Sequence, residues 1–559
     1  MDKTPSLRLT LAFAALGGLF FIPFLGGVHL FDWDEINFAE ISREMLILGD
    51  YTRVHVNFEP FFQKPPLFFW LQALAMRAFG VGDFAARLPN AICGMITLAL
   101  LFRLGQSLKG RRFGLLWAGA YFGSALPFLY FKSGIIDPWF NLFIFLGLYG
   151  LIRFYWIQEG LETAASPGRK WRYLLWGGFW LGMAMLAKGQ AAYLITVLTL
   201  GVYWVYQRFR FYINIPQFLL FSLAAAAVTL TWYGLETAKN GPAFIYEFNR
   251  YQYRLFSTPD AGHGGFPGYH FVVLLVGCFP ASIFAIRAFF PLEREKDARQ
   301  ADFRRWMKYL FWVVLILFSI VKSKIVHYSS LAYFPLTYLA AVSIEQLLDG
   351  KIALGPWMRA GVGIIGGLFI ALIIALPFVA QQAEALQPFI KDPFAQGNLE
   401  APIHWTGAEA LAGVLLLAVL LVFFALYRRG QRPLSFAALF GGTALFVMLT
   451  LVFFIKRIEG YSQRAAVEFF KEKAQEDCYL AVYGYKSYAH LYYGRVSGPN
   501  QACFTGSDCL EALLTGPIDK PVYIASKIHR APALASRPEL EEIRRENGFV
   551  FFQRRPPGQ

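Results

Sequence analysis

Residues 361–380 read GVGIIGGLFIALIIALPFVA, an uninterrupted apolar stretch without a charged side chain. A helix needs roughly 20 such residues to cross about 30 Å of hydrocarbon. Leu411–Tyr427 is a second stretch of this kind, and similar blocks recur to about residue 455. Only helices and closed barrels satisfy every backbone group inside a bilayer, and barrel strands alternate in polarity over segments of about ten residues. The sequence therefore predicts an α-helical polytopic membrane protein.

The overall composition supports this prediction. Hydrophobic residues make up 56% of the 559 residues, aromatic residues make up 18%, and the mean hydropathy is +0.43. This is not the composition of a soluble enzyme. The net charge of +15 would suggest nucleic acid as the partner of a soluble protein. Here the basic residues lie in short clusters between apolar blocks, which is typical of cytoplasmic loops, so we expect no nucleic-acid partner.

The basic clusters also predict a topology. When they are placed in the cytoplasm, the apolar blocks between them form about thirteen transmembrane helices in consistent alternation. Leu7–Leu30 lacks a small-residue cleavage site and is expected to be an uncleaved first span that starts in the cytoplasm. The protein is then expected in a bacterial inner membrane, with its C-terminus in the periplasm. The predicted helices begin near residues 8, 86, 113, 139, 173, 191, 217, 270, 307, 329, 359, 406 and 434.

The chain divides into two predicted domains. Residues 1–456 form a transmembrane domain, whose first periplasmic loop, residues 31–82, is long and rich in Phe and Trp. Such a loop is typical of functional segments along the membrane interface. A mixed polar composition after residue 456 indicates a small periplasmic α/β domain over residues 457–559. Its predicted elements are strands at Tyr479–Tyr483, Val522–Ala525 and Val550–Gln553 and a helix at Ala465–Lys473.

The five cysteines indicate no metal-binding or redox motif, because the chain has no CxxC pair and no His spacing suited to zinc. Cys478, Cys503 and Cys509 fall in the predicted C-terminal domain. Two of them could pair in the periplasm. Three free thiols are equally consistent with the sequence.

The string Asp32-Trp33-Asp34-Glu35 follows the first span directly. Three carboxylates at a membrane boundary are costly unless they are used or well solvated. Asp34 is the strongest candidate for a catalytic role, and a solvated loop acid is the alternative. The same predicted face collects further ionisable residues, which are Lys64, Asp137, Lys188, Arg254, His263, Lys324 and His327.

Lys188 lies in a predicted turn barely outside the hydrocarbon, with only Gly189 and Gln190 before the next apolar block. A snorkelling lysine is the alternative explanation. Lys324 follows another apolar block in the same way. Together with Lys64 and Arg254, these lysines could form a cationic cluster at the depth of lipid headgroups, which suits a phosphate or pyrophosphate.

A carboxylate that faces several cations at the outer interface suits one class of reaction, displacement at a sugar carbon with a lipid phosphate as the leaving group. The acid removes the proton of the acceptor, and the cations neutralise the departing phosphate. No nucleotide is required. The chain accordingly has neither a P-loop nor a dinucleotide fingerprint.

Short motifs also occur in a fixed order along the predicted outer loops. They are Asp34-Glu35, FAEISREM at residues 38–45, Gly49-Asp50-Tyr51, Lys64-Pro65-Pro66-Leu67, Asp137, Ala187-Lys188-Gly189, and His263-Gly264-Gly265 with Tyr269. This series resembles the protein O-mannosyltransferase-like superfamily of membrane glycosyltransferases over roughly the first 350 residues. The bacterial aminoarabinose lipid A transferases are the most similar group within it.

The resemblance implies an inverting glycosyltransferase of the cell envelope that uses a polyprenyl-phosphate sugar as its donor. It implies that Asp34 is the general base, that Asp137 is the acid of the second outer loop, and that Lys64, Lys188 and Arg254 contact the carrier phosphate. The residues of the predicted site are chosen from the resemblance and from the charge pattern together. Its catalytic candidates are Asp34, Glu35 and Asp137, and its substrate-binding candidates are Lys64, Lys188, Arg254, His263 and Lys324.

Three positions depart from the pattern of aminoarabinose transferases. Asn37 replaces an arginine three residues after the catalytic aspartate, Gln63 replaces a glutamate, and Asn249 aligns with a histidine. That glutamate and histidine bind zinc in the family. His263 could substitute for the histidine, but glutamine is a poor zinc ligand, so a divalent metal and aminoarabinose are both disfavoured. We assign no cofactor.

A transporter or flippase of lipid-linked saccharides is the alternative function, because aromatic and cationic residues in a membrane cavity suit carriage as well as catalysis. Transporters more often have repeated halves and broken helices near the midplane, and the sequence shows neither. The sequence does not distinguish three kinds of acceptor, which are a lipid, a glycan and a Ser or Thr of an exported protein.

Overall fold

The fold is mainly helical. The computed structural model describes residues 6–163, 166, 168–258, 264–293, 295 and 297–557. The helices of the first half are α1 (Leu7–Phe21), α2 (Asp34–Leu48), α3 (Leu67–Phe79), α4 (Asp83–Lys109), α5 (Arg111–Phe122), α6 (Ala125–Tyr130), α7 (Asp137–Gln158), α8 (Arg169–Lys188), α9 (Ala191–Tyr206), α10 (Ile215–Asn240), α11 (Ala243–Ser257), α12 (Tyr269–Gly277) and α13 (Ala281–Arg287).

The second half continues with long helices and ends in shorter ones. They are α14 (Ala298–Ile320), α15 (Tyr333–Leu348), α16 (Pro356–Ala380), α17 (Ala383–Leu386), α18 (Pro393–Asn398), α19 (Leu411–Arg428), α20 (Arg432–Thr450), α21 (Lys456–Gly460), α22 (Arg464–Lys473), α23 (Ala489–Tyr492), α24 (Asp508–Thr515) and α25 (Pro532–Ala535). A π-helical turn, Leu451–Ile455, joins α20 to α21.

The length and apolar composition of several helices suit a membrane. In the part of the chain that the structure describes, seven helices are long and apolar enough to cross it. An eighth span results if α12 and α13, which meet at 112°, form one broken span. Helices also begin near all thirteen predicted positions, with the largest offset at α14, which begins at Ala298. The polytopic membrane fold is therefore confirmed, and thirteen spans remain a prediction.

Helices α7 and α8 pack closely against each other. A Cβ atom added at Gly150 would lie 2.8 Å from Cα of Gly177, and one added at Gly177 would lie 2.9 Å from the carbonyl oxygen of Gly147. Small residues of this kind let membrane helices approach closely. Because α7 begins where α8 ends on the same side of the pair, this packing brings the outer ends of the two helices together.

Residues 31–82, which are predicted to lie on the outer side and are named the first outer segment, contain α2, α3 and a small antiparallel hairpin. The hairpin strands are β1 (His55–Val56) and β2 (Glu59–Pro60). Most of α2 is buried, including its three glutamates, Glu35, Glu40 and Glu44. Arg43 forms two hydrogen bonds with Glu40 and donates a third, of 2.6 Å, to the carbonyl of Val496 near the C-terminus. These bonds hold α2 against the C-terminal part of the chain.

The C-terminal part contains a five-stranded mixed sheet in the order β4-β3-β5-β7-β6. Strand β3 is parallel to β4 and β5, and β7 is antiparallel to β5 and β6. The strands are β3 (Tyr479–Tyr483), β4 (Ala502–Cys503), β5 (Val522–Lys527), β6 (Glu541–Glu546) and β7 (Phe549–Arg554). Cys503 of β4 pairs with Cys509, and Cys478 is a free thiol.

Candidate active site

A cavity of about 890 Å³ lies between the first outer segment, the outer ends of α7 and α8, helix α11 and the C-terminal sheet domain. Acidic and basic side chains from distant parts of the sequence line it together. They are Asp32, Asp34, Glu35, Lys64, Asp137, Lys188, Arg254, His327 and Lys486. The fold therefore brings six of the eight predicted site residues to one cavity.

Asp34 is the first residue of α2, and its side chain is 46% exposed. Its Oδ2 atom lies 3.8 Å from Nε2 of His327. Among the described residues, no other ion pair or hydrogen bond to its carboxylate is present. A carboxylate with free lone pairs at a cavity wall can accept a proton from a bound molecule.

Asp137 and Lys188 form an ion pair at the back of the cavity. Nζ of Lys188 donates to Oδ1 of Asp137 over 2.6 Å, and Nε2 of His327 lies 3.8 Å from Oδ2 of Asp137. The Lys188 ammonium also lies 5.1 Å from the ring centre of Tyr328. An ammonium has three donors, and Asp137 uses one of them. His327 lies between the carboxylates of Asp34 and Asp137.

Gly189 ends helix α8 and determines where Lys188 stands. Its φ of +94° is a conformation that suits glycine, and a Cβ atom there would meet Cζ of Phe248 at 2.3 Å. Phe248 belongs to α11, so the close contact also holds α11 against the turn after Lys188. The lysine predicted to snorkel or to bind phosphate is thus held in a rigid turn.

Helix α11 carries a second pair of cavity residues three positions apart, Tyr251 and Arg254. The Arg254 guanidinium lies 5.2 Å from the ring centre of Tyr251, and Nζ of Lys64 lies 4.9 Å from the same centre. Lys64 also donates a 3.5 Å hydrogen bond to the Tyr251 hydroxyl. Burial alone lowers the pKa of Lys64, but Tyr251 and Asp34 outweigh burial and raise it above its usual value. Lys64 is therefore a cation.

Glu35 lines the cavity, but its carboxylate already forms a buried ion pair with Arg87. Its carboxylate accepts hydrogen bonds of 3.0 and 2.7 Å from Arg87 and one of 2.9 Å from the backbone N–H of Phe31. Burial raises the pKa of Glu35, but Arg87 and the backbone N–H groups of Phe31 and Gly134 together outweigh burial and hold the pKa below its usual value. Such a carboxylate is a weak base. The catalytic role of Glu35 stays a prediction, and these contacts favour a positioning role instead.

Among the described residues, Lys324 is the one predicted site residue that does not line the cavity. Lys324 points away from it and donates hydrogen bonds of 3.0 and 2.6 Å to the carbonyls of Phe318 and Ser319 at the end of α14. Helix-end carbonyls thus engage the ammonium, and the substrate-binding role of Lys324 stays a prediction that this placement does not favour. His263 lies outside the described residues.

Sequence reasoning missed three cavity residues. Tyr251 carried a weak signal, because it lies one helical turn before Arg254. Lys486 and Tyr488 come from the C-terminal part of the chain, and no sequence signal pointed to them. The Lys486 ammonium lies 4.8 Å from the ring centre of Trp33, whose Nε1 donates to the Lys486 carbonyl over 3.0 Å. The backbone N–H of Tyr488 donates to Asp32 over 3.1 Å. The C-terminal part of the chain thus contributes to the cavity wall.

The residues at the family's zinc position do not fit a zinc ion. Gln63 lines the cavity, and Oδ1 of Asn249 accepts a hydrogen bond from Gln190. Both are neutral amides, and zinc prefers thiolate, imidazole or carboxylate ligands. Among the described residues, no group of three His, Cys, Asp or Glu side chains is arranged to hold a metal.

An apolar groove of about 370 Å³ continues the cavity toward the membrane-spanning helices. Lys64, Asp137, Lys188, Leu255 and Tyr328 line both spaces. Beyond them the groove is walled by apolar side chains of α9, α11 and α14, which are Ala191, Leu194, Phe256, Leu317 and Phe318. The two cationic side chains therefore stand where the polar and apolar spaces meet.

Comparison with known proteins shows which families this chain resembles. The model of the dolichyl-phosphate-mannose-protein mannosyltransferase family matches residues 63–232. The chain is 28% identical over 396 residues to the undecaprenyl phosphate-alpha-4-amino-4-deoxy-L-arabinose arabinosyl transferase of Pectobacterium carotovorum, and the alignment covers 68% of each protein. The transferase of the same name from Photorhabdus laumondii is 26% identical, with 65% of this chain and 64% of the relative covered.

A solved structure has the same fold over nearly the whole chain. The crystal structure of ArnT from Cupriavidus metallidurans bound to undecaprenyl phosphate aligns over 98% of both chains, with a TM-score of 0.74 and 19% identity. The curated relatives are matched over about two thirds of their length. The chain is thus similar to the dolichyl-phosphate-mannose-protein mannosyltransferase family over residues 63–232 and to the aminoarabinose transferases over about two thirds of its length, and it shares the fold of ArnT.

Proposed function

We propose that this protein transfers a sugar from a polyprenyl-phosphate donor to a lipid acceptor at the periplasmic face of a bacterial inner membrane. One observation carries the proposal. The half-exposed carboxylate of Asp34 and the cations Lys64, Lys188 and Arg254 line a single cavity that continues into an apolar groove. The names of the relatives, which specify an undecaprenyl-phosphate sugar, and the neighbouring structure that binds undecaprenyl phosphate support the choice of donor.

The donor is amphipathic, and the two connected spaces match its two ends. The prenyl chain fits the apolar groove between α9, α11 and α14. Its phosphate then reaches Lys64 and Lys188, which line both spaces. Lys188 offers the two ammonium donors that Asp137 leaves unused. The sugar extends into the polar cavity toward Asp34.

The reaction is a displacement at the anomeric carbon. Asp34 accepts the proton of the acceptor oxygen, this oxygen forms a bond to the anomeric carbon, and the bond from that carbon to the phosphate oxygen breaks. The bonding electron pair leaves with the lipid phosphate, so a single displacement inverts the configuration. General-base assistance of this kind contributes about 10²–10⁴-fold to the rate.

The cations act on the leaving group. Negative charge on the phosphate increases as the bond breaks, so Lys64, Lys188 and Arg254 stabilise the transition state more than the bound donor. Asp137 and Tyr251 orient two of these cations through the contacts described above. Because Asn37, Gln63 and Asn249 replace charged or metal-binding residues of the aminoarabinose transferases, the proposed sugar is a different one.

The experiment is a transfer assay with purified protein and a mass-spectrometric readout of the lipid product. Undecaprenyl-phosphate donors that carry aminoarabinose, another pentose or a hexose are offered with lipid A as the acceptor. Asp34→Asn is compared with Glu59→Gln, a change of an exposed carboxylate in the same outer segment. Transfer that Asp34→Asn reduces by about 10² or more, and that Glu59→Gln leaves unchanged, supports the proposal. Wild-type turnover in folded Asp34→Asn would remove Asp34 from the mechanism.

A further inference from the structure

The catalytic cavity is lined by neutral amides as well as by charges. Asn37 and Gln63 line it together with Asp34 and Lys64. Asn37 lies three residues after Asp34 on α2, and residues at this spacing are neighbours on one face of a helix, about 5–6 Å apart between their Cβ atoms. Gln63 directly precedes Lys64 in the chain. The sugar must lie between the proposed base and the phosphate, so both amides adjoin its place.

The side chain of Asn37 has an unused hydrogen-bonding group. Asn37 is 6% exposed, and within the described ranges its Oδ1 atom has no hydrogen-bond partner. Buried amide oxygens are normally hydrogen-bonded, because an unpaired one has lost its water without compensation. The amide nitrogen also carries two donors. A hydroxyl group both donates and accepts a hydrogen bond, so a sugar hydroxyl matches this side chain.

The carboxylates of the cavity do not favour a cationic sugar. Three of the four carboxylates that line it each lie next to a cation, and the pairs are Glu35 with Arg87, Asp137 with Lys188 and Asp32 with Lys486. Asp34 is the fourth, and within the described part of the chain it forms no ion pair with a lysine or an arginine. A sugar ammonium would therefore have to pair with Asp34. An adjacent positive charge makes a carboxylate a weaker base.

The cations of the cavity oppose a cationic sugar as well. Lys64 and Arg254 lie 4.9 and 5.2 Å from the ring centre of Tyr251. The donor phosphate, which is assigned to these cations, brings the negative charge that they attract. An ammonium on the sugar would instead add positive charge beside them, and like charges repel. A neutral sugar that carries hydroxyl groups meets no such repulsion.

We propose that Asn37 selects a neutral, polyhydroxylated sugar through hydrogen bonds between its side-chain amide and a ring hydroxyl, and that Gln63 contacts a second hydroxyl. The inference rests on the proposed function and names the class of the transferred unit. An amino sugar is disfavoured in two ways. Its ammonium group donates hydrogen bonds but accepts none, so it leaves the amide N–H without a partner, and it also competes for the carboxylate of Asp34.

The first test compares donors that differ in one substituent. Undecaprenyl-phosphate arabinose is compared with its 4-amino-4-deoxy analogue, and undecaprenyl-phosphate glucose with its 2-amino-2-deoxy analogue, each with lipid A as the acceptor. In each pair that the protein transfers, kcat/KM for the neutral donor should exceed that for the amino donor by about tenfold or more, which is about 1.4 kcal/mol. An amino donor that is used equally well or better would overturn the proposal. Wild-type protein without transfer from any donor would instead contradict the proposed function itself.

The second test changes the amide. Asn37→Leu removes its hydrogen bonds and should lower kcat/KM for the neutral donor about tenfold more than for the amino donor. Asn37→Asp keeps the shape of the side chain and should shift the ratio of the two kcat/KM values toward the amino donor, because its carboxylate can pair with an ammonium.

Asn398→Leu is the matched control. Asn398 is 7% exposed and its Oδ1 atom also has no partner within the described ranges, but it does not line the catalytic cavity. This variant should keep the wild-type ratio. A purely structural role of Asn37 would lower kcat/KM for both donors equally. A wild-type ratio in both Asn37 variants, measured per folded molecule, would therefore overturn the assignment of Asn37, whereas transfer by the wild-type protein would still support the proposed function.

Discussion

The Nζ atom of Lys188 lies 2.6 Å from Oδ1 of Asp137, and this ion pair joins the last residue of α8 to the first residue of α7. The packing of Gly150 against Gly177 brings the two helices close enough for the contact. Neither residue is well exposed, so loss of one partner leaves an uncompensated charge in a region of low dielectric. The pair therefore has a structural role besides its proposed role in binding the carrier phosphate.

A double-mutant cycle separates the two roles. Lys188→Ala is expected to lower kcat about 10²-fold and to weaken donor binding, because a donor to the leaving phosphate is lost. Asp137→Asn with Lys188→Ala removes both charges and should recover stability but not turnover. The measurements are thermal unfolding and steady-state kinetics with a defined polyprenyl-phosphate donor. Recovery of turnover in the double variant would show that Lys188 acts only through Asp137.

Glu35→Gln is expected to destabilise the protein, by about 3–5 kcal/mol, because Arg87 then remains buried without its partner. The folded Glu35→Gln protein should keep much more activity than Asp34→Asn, because Glu35 orients the first outer segment and does not accept the proton of the acceptor. Chemical unfolding and activity per folded molecule are the two readouts. Inactivity equal to that of Asp34→Asn, at wild-type stability, would return Glu35 to the chemistry.

Asp32 should make stability depend on pH. Burial raises the pKa of Asp32 to about 6, although Ser487, Tyr488 and Lys486 oppose the shift. A raised pKa means that the stabilising contribution is present below the unfolded value of 3.8 and is lost as the pH rises through about 6. Asp32→Asn should therefore melt close to wild type at about pH 4 and above wild type at about pH 7.5.

The pKa of Asp50 is shifted in the opposite direction to that of Asp32. Despite the effect of burial, hydrogen bonds from Thr52 and Arg53 lower the pKa of Asp50 to about 2. Asp50→Asn should therefore be less stable than wild type at every pH from about 4 to 7.5. A difference between Asp32→Asn and wild type that does not change with pH would contradict the assignment for Asp32.

Gly189→Ala is expected to weaken donor binding, because the new Cβ atom would meet the Phe248 ring and displace α11 with Tyr251 and Arg254. Gly80→Ala is a matched control. Gly80 has a φ of +84° and a ψ of 157°, close to the +94° and −163° of Gly189, and has no atom within 4 Å of the new Cβ position, so it shares the backbone strain without the clash. Equal donor affinities in the two variants would show that strain alone accounts for the effect.

The topology prediction is tested with reporter fusions. Alkaline phosphatase fused to the C-terminus is expected to be active, because the alternation of basic loops places that end in the periplasm. Fusion after Arg112, in a basic loop predicted to be cytoplasmic, should give an inactive enzyme. The reverse pattern would move Asp34 to the cytoplasmic side and exclude a periplasmic reaction.

Much of the helical frame was predictable from the sequence. Apolar blocks of span length have few alternatives inside a bilayer, so helices occur near every predicted position. The strand predicted at Tyr479–Tyr483 is β3 in full, and the helix predicted at Ala465–Lys473 is α22 with one added residue. Local pattern was sufficient in these cases because each element buries a face that its own sequence defines.

The sequence by itself determined the membrane class and the positions of the helices, because apolar length is a local property of the chain. The distribution of basic loops is local as well, and it predicted that one face of the membrane collects Asp34, Lys64, Asp137, Lys188 and Arg254. Only the tertiary structure decided which charges are engaged internally. Glu35 is bound by Arg87, Lys324 is bound by the carbonyls of α14, and Lys486 reaches the cavity from the C-terminal domain. These partners come from other elements of the fold, so no local pattern could reveal them.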